Sequence, residues 1–206
     1  MPVSINGNTG VITGLAVGGL PDGTIDADSL ASNAVTSAKL ASGAGGKILQ
    51  VIQQEKLDTW STTSDFVFSD VTGLAATITP SSSSNKVLVI IDVIASGDNY
   101  TTYLKLFRGS TEIANNATGK QSGQTNLFSA LSLTKTESNT HGFCHLHSRR
   151  ILDSPNTTSA TTYKIQSAAR NGSFNAYINR SVPDRNHTAE YDLRHTSRII
   201  LMEVAA

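Results

Sequence analysis

The chain has 206 residues, 16 Lys+Arg against 16 Asp+Glu, and a single cysteine, Cys144. That length holds one ordinary domain of about 100–150 residues plus a tail. The balanced charge offers no footprint for a nucleic-acid backbone or an acidic membrane surface, and one cysteine excludes an internal disulfide framework.

Charged residues make up only 16% of the chain and Ser with Thr fill about a quarter, which suits half-buried β-structure and lacks the Glu/Lys/Arg-rich outer face of soluble helices. The opening MPVSINGNTGVITG has neither a basic n-region nor a continuous apolar h-region. No run approaches the roughly 18 apolar residues of a membrane span, so the expectation is a soluble product made in the cytoplasm, without membrane insertion.

Residues 1–46 contain no aromatic side chain and many glycine turns. Val3, Ile5, Val11, Ile12 and Leu15 flank the turn NGNTG, which predicts a short β-hairpin. Residues 23–42 then form two decads, GTIDADSLAS and NAVTSAKLAS, each with one β-branched residue (Ile25, Val35) and one leucine (Leu30, Leu40) among small polar residues. Two sizeable apolar side chains per decad cannot offset a backbone ordering cost of roughly 1–2 kcal/mol per residue by burial within one chain. Ordered decads therefore require copies running in parallel about a common axis, where each Ile/Val/Leu layer meets its symmetry mates; the plain alternative is a flexible linker. SGAGG follows as a hinge.

From Lys47 the texture changes. KILQVIQQ, FVFSDVTGLAATIT, KVLVIIDVI, TYLKLFRGSTEIA, TNLFSALSLT, GFCHLHS, TYKIQSAA, NAYINRS and SRIILMEV are short, apolar or alternating, and separated by polar turns. Such spacing predicts an all-β head over 47–206, an antiparallel β-sandwich of jelly-roll type, joined to a fibrous segment over 1–46.

The N-terminal segment resembles shaft and attachment segments of tailed-phage fibre proteins, in which motifs like GTIDADSLA and AVTSAKLA recur. The blocks GKILQVIQQEK, DVTGLAATITPSSSSNKVLV, LFRGSTEIA, ILDSPNTTSATTYKIQ, YINRS and SRIILMEVAA are similar to a C-terminal domain of small fibre or virion proteins of phages infecting cyanobacteria and marine bacteria. The resemblance implies a homotrimer anchored on other virion proteins through its N-terminus, with Ile25, Leu30, Val35 and Leu40 as stalk core. It implies exposed β-sandwich heads for contact with the host surface. Two features depart from the family pattern: the shaft is very short, and HGFCHLHSRR is richer in His and Arg than the usual strand before the D-S-P turn.

HGFCHLH gathers His141, Cys144, His145 and His147. On a strand Phe143, His145 and His147 share one face and Cys144 takes the other, so one ion cannot easily collect them all. No metal site is expected; His145 and His147 near a threefold axis come nearest to one. The glutamate of H-E-x-x-H is absent, SGAGGKI lacks the hydroxyl of a phosphate loop, GKQSG lacks the spacing of a nucleophile elbow, and DGTIDADS lacks the glycine and distal glutamate of a calcium loop. The N-x-S/T triplets at Asn99 and Asn156 are chance matches in a chain this rich in Asn, Ser and Thr. No enzyme activity and no cofactor are expected.

Two polar-aromatic loops remain. SGDNYTTY sets Asp98, Tyr100 and Tyr103 together, and PDRNHTAEYDLRH gathers Asp184, Arg185, His187, Tyr191 and Arg194. Aromatic faces for ring C–H groups and planar polar groups for hydroxyls suit a host cell-surface polysaccharide. The expected location is the virion, as a tail or baseplate fibre. Alternatives are a capsid head fibre or decoration protein without receptor binding, a capsule-degrading spike, for which no paired carboxylates are found, and a bacterial adhesin.

Overall fold

The computed structural model describes residues 4–6, 11–13, 32, 34–36, 39, 47–97, 101–114, 132–135, 144–170, 174–182 and 192–206. The chain divides into two units, Met1–Gly46 and Lys47–Ala206. In the first, β1 (Ser4–Asn6) pairs antiparallel with β2 (Val11–Thr13), Ile5 opposite Ile12, which is the hairpin expected around NGNTG. Of the four decad positions Val35 is 48% exposed, and Ile25, Leu30 and Leu40 lie outside the described residues.

The second unit contains β3 (Ile48–Lys56), β4 (Trp60–Thr62), β5 (Ser69–Ile78), β6 (Lys86–Gly97), β7 (Thr101–Arg108), β8 (Thr111–Ile113), β9 (Ser132–Lys135), β10 (His145–Asp153), β11 (Thr161–Ala168), β12 (Ala176–Ile178) and β13 (Ser197–Val204). All strand pairings in its two sheets are antiparallel. One edge of β6 carries β13 along Lys86–Asp92 and β12 along Ala95–Gly97, with β3 beyond β13 and β4 beyond β12. Because Val87–Asp92 pair with β10 as well, β10 occupies the opposite edge. The other sheet runs β5-β11-β7, with β8 and β9 sharing the far edge of β7.

Taken in chain order, β3, β5, β6, β7, β8/β9, β10, β11 and β13 thus assemble as β3-β13-β6-β10 facing β5-β11-β7-β8/β9. This is the strand order of a jelly roll, as the spacing of the strands predicted. Between the sheets lie Val89, Ile91, Leu106, Ile165, Ile199 and Leu201, each at most 2% exposed. Full burial of each is worth roughly 1.5–3 kcal/mol, and their period of two along the strands is what made the strands legible.

Three boundaries differ from the sequence reading. The segment beginning FVFS turns before it pairs: Phe66 has φ 53, its N–H donates to the Ala169 carbonyl at 3.0 Å, and the strand starts only at Ser69. TYLKLFRGSTEIA breaks at Gly109 (φ 56) into β7 and β8. The strand expected in GFCHLHS starts at His145 and runs on to Asp153, because β6 offers it a partner at every step from Ala95 to Val87.

Along β5 the alternation resets at Gly73. Its φ of +84 supports a bulge against β11, so Val71 and Leu74, three residues apart, both point inward.

Candidate receptor-binding end

Because successive strands reverse direction, connections alternate between two ends of the sandwich. At one end lie Lys47, Ala206 and the connections 79–85 and 154–160, tied together by Ala205 N–H to the Lys47 carbonyl at 2.8 Å. There Glu203 is 1% exposed and its carboxylate accepts Ser81 N–H and Oγ (both 2.7 Å), Asn85 Nδ2 (2.6 Å) and Gln50 Nε2 (2.6 Å). Burial would raise its pKa, but the donors from Gln50, Asn85 and Ser81 outweigh that and hold it at about 2.

At the opposite end lie residues 57–68, 144, 169–170, 174–175, 179–182 and 192–196 and the strand ends Gly97, Thr101 and Lys135. The described strand ends that flank the three segments singled out in the sequence lie here: Gly97 and Thr101 for SGDNYTTY, His145 for HGFCHLH, and Ile178 and Ser197 for PDRNHTAEYDLRH. Strand ends as distant in sequence as Gly97 and Ala176 are thereby brought together, the two being paired residues.

Asp98, Tyr100, Asp184, Arg185, His187 and Tyr191 lie outside the described residues. Tyr103 is 4% exposed, with its ring 5.4 Å from that of Phe66. A ring so covered has no face left for a sugar, so Tyr103 serves packing. Arg194 is exposed at this end and forms an isolated bridge with Arg180, whose guanidinium lies 4.2 Å over the Tyr177 ring.

A buried asparagine organises the platform beneath these connections. Asn179 is 0% exposed at φ 64, a left-handed conformation that asparagine tolerates better than most residues. Its Nδ2 donates to the carbonyls of Lys56 (2.8 Å) and Asp58 (2.9 Å), and its Oδ1 accepts Ser197 Oγ at 2.5 Å. Its N–H reaches the Ile94 carbonyl (2.9 Å), while its own carbonyl accepts His195 N–H (3.0 Å). One residue thus ties Lys56, Asp58, His195 and Ser197 to β6. Lys56, 2% exposed, adds Nζ bonds of 2.7 Å to Asp58 and to the Thr72 carbonyl.

His145 and His147 share a face as the alternation required, rings 6.5 Å apart. Burial, and secondarily the His145 neighbour, push the His147 pKa down to about 4, so its ring is neutral at pH 7. Burial pushes the Cys144 thiol up to about 11 despite Arg180 and Arg194 nearby, which makes it a poor nucleophile. Among the described residues no three His, Cys, Asp or Glu side chains are grouped to hold a metal ion.

Sequence reasoning missed Asn179, whose only signal was its place in YINRS. It also missed a shallow depression of about 430 Å³ on the outer face of the β6-containing sheet, lined by Asp92, Leu146, Ser148, Arg150, Thr196 and Arg198. These residues come from three separate stretches of the chain, around 92, 146–150 and 196–198, that meet only through strand register.

No family model and no curated protein matches the chain. Among solved structures it is similar to that of the infectious bursal disease virus Gx strain, at 13% identity and TM-score 0.33 over 76% of this chain and 37% of that one. The 2.6 Å structure of T=1 particles derived from the same virus gives 12% identity and TM-score 0.34 over 76% and 36%. The chain spans little more than a third of those structures, and at these scores the likeness carries no argument about fold or function.

Proposed function

We propose that this chain is a structural, non-enzymatic virion protein: a homotrimeric phage fibre that attaches through residues 1–46 and presents its 47–206 head to a host cell-surface polysaccharide. The observation that supports this reading best is that the strand ends flanking both polar-aromatic segments, Gly97 and Thr101 for one and Ile178 and Ser197 for the other, lie toward one end of a jelly roll, the end opposite Lys47. A rigid β-scaffold bearing polar-aromatic loops at the end away from its point of attachment is the arrangement a receptor-binding head needs.

The recognition chemistry belongs to the loops: Tyr100 and Tyr191 offer ring faces, and Asp98, Asp184, Arg185, His187 and Arg194 offer planar polar groups for hydroxyls. Tyr103, being buried, is excluded from that set. Three weak sites on one particle engage a repetitive surface with an avidity that exceeds single-site affinity by about 10²–10⁴.

Immuno-electron microscopy of intact virions with an antibody to the head tests the assignment. Label at the tail or baseplate is expected; label confined to the capsid would replace the tail fibre with a capsid decoration protein.

A further inference from the structure

On the outer face of the β3-β13-β6-β10 sheet, strand register lines up Val51, Met202, Leu88 and Leu152 in one unbroken apolar row across all four strands. Its two ends are open to solvent in the single chain, Val51 and Leu152 at 54% each, and Leu49 (48%) extends it along β3, while Leu146 (61%) stands apart, beyond Arg150 and Ser148 on β10. Ile200 and Ile90 sit together in the next row. Contiguous apolar surface on this scale marks an interaction site rather than a solvated face. We propose that this sheet face is covered by a second copy of the same chain, and that it is the contact that joins the heads. The proposal rests on the homo-oligomeric reading above but names a surface that the stalk does not need.

What points to a like copy is charge placement and size. The β3 edge of the face carries the exposed Glu55, and the β10 edge carries the exposed Arg150, one row apart. Laying the β3 edge of one copy over the β10 edge of another therefore opposes acid to base. The charges between them are already closed on each other, Arg198 Nε to Asp92 at 3.0 Å with Ser148 Oγ donating to Asp92 at 2.7 Å, and chains with a formal charge of +0 do not repel. Four strands about 4.8 Å apart and roughly nine residues long give a face of about 19 by 30 Å. That is on the scale of one side of a standard protein interface, about 800 Å² of accessible surface.

The test uses the full chain in a Cys144→Ser background, with a reporter thiol at Leu152→Cys on the face or at Thr158→Cys on the exposed 154–160 connection. Maleimide labelling rate and sedimentation mass are read on the same samples. The expected result is an oligomer in which Leu152→Cys labels at least about tenfold more slowly than Thr158→Cys, with the rates equal in urea and the slow site released by adding Val51→Glu. A trimer labelled equally fast at both sites overturns the proposal and leaves the fibre reading standing. A dimer protected at position 152 supports the proposal and overturns the trimeric stalk. A monomer with position 152 open overturns both, leaving the face to another protein; a protected monomer overturns the proposal by assigning the cover to this chain itself.

Discussion

The two outer faces of the sandwich solve the same problem in opposite ways. On the β5-β11-β7 side, Asp70 accepts Lys164 Nζ at 2.8 Å and Gln166 Nε2 at 2.7 Å, Thr77 and Thr162 hydroxyls meet at 2.7 Å, and Lys105 pairs with Glu112 at 2.7 Å while lying 4.5 Å over the Phe68 ring. The Lys164 and Gln166 bonds hold the Asp70 carboxyl below the usual carboxylate range. This face is finished against water by short cross-strand pairs. On the β3-β13-β6-β10 side a polar row, Glu55, Arg198, Asp92 and Ser148, lies beside Ile200 and Ile90, and beyond them the row Val51, Met202, Leu88 and Leu152 is wholly apolar. A sandwich needs only its inner faces to be apolar; an apolar outer face adds nothing to the fold of one chain and is explained by what covers it.

The largest effect should fall on the inner side of the same strand that carries the apolar row. Leu201→Ala empties a 0% exposed site and should cost about 2–5 kcal/mol in urea unfolding. The adjacent Met202→Ala, pointing outward, should instead weaken association between copies. If Met202→Ala destabilises dilute protein as strongly as Leu201→Ala, the two sides of the sheet are not distinct.

Asn179→Ala should come next, at about 2–4 kcal/mol, from unpartnered Lys56 and Asp58 carbonyls together with strain at φ 64. Asn179→Gly relieves the strain but not the lost bonds and should recover part of the loss. Equal losses would assign the whole effect to hydrogen bonding.

Acid should loosen the head in two stages. His147 has a pKa lowered to about 4 from 6.5, so its contribution is complete above about pH 6.5 and is lost as pH falls toward 4. Glu203, lowered to about 2 from 4.5, contributes fully above about pH 4.5 and loses that contribution as pH falls toward 2. Stability measured against pH should lose its upper stage in His147→Phe and its lower stage in Glu203→Gln; an unchanged profile in either variant contradicts the assignment.

The smallest change is expected from Asp70→Asn on the water-facing sheet. Its partially exposed pairs should be worth under about 1 kcal/mol and should weaken in salt. A loss of several kcal/mol would mean that this face too is closed by something other than solvent.

Much of this was legible because strands announce themselves as short apolar or alternating runs. KVLVIIDVI and SRIILMEV are short apolar runs bounded by polar residues, so β6 and β13 could be placed from sequence, but with apolar residues on both sides the runs did not say which face is inner. The outer face was not legible in the same way, since Val51, Leu88, Leu152 and Met202 become neighbours only when registers between non-consecutive strands are known. Tyr103 shows the same limit: a tyrosine in a Ser/Thr/Asn loop resembles a ligand contact until the Phe66 turn is seen to cover it. Asn179 carried no motif because its role depends on carbonyls more than 100 residues away. That the strand ends flanking the candidate loops share one end of the sandwich, by contrast, follows from strand order alone.

Sedimentation equilibrium of the purified full-length chain at micromolar concentration tests the central claim most directly, because the trimeric stalk and the covered sheet face both require association between copies. The account predicts a single species of three times the 21.7 kDa chain mass. A stable species of 21.7 kDa would contradict it.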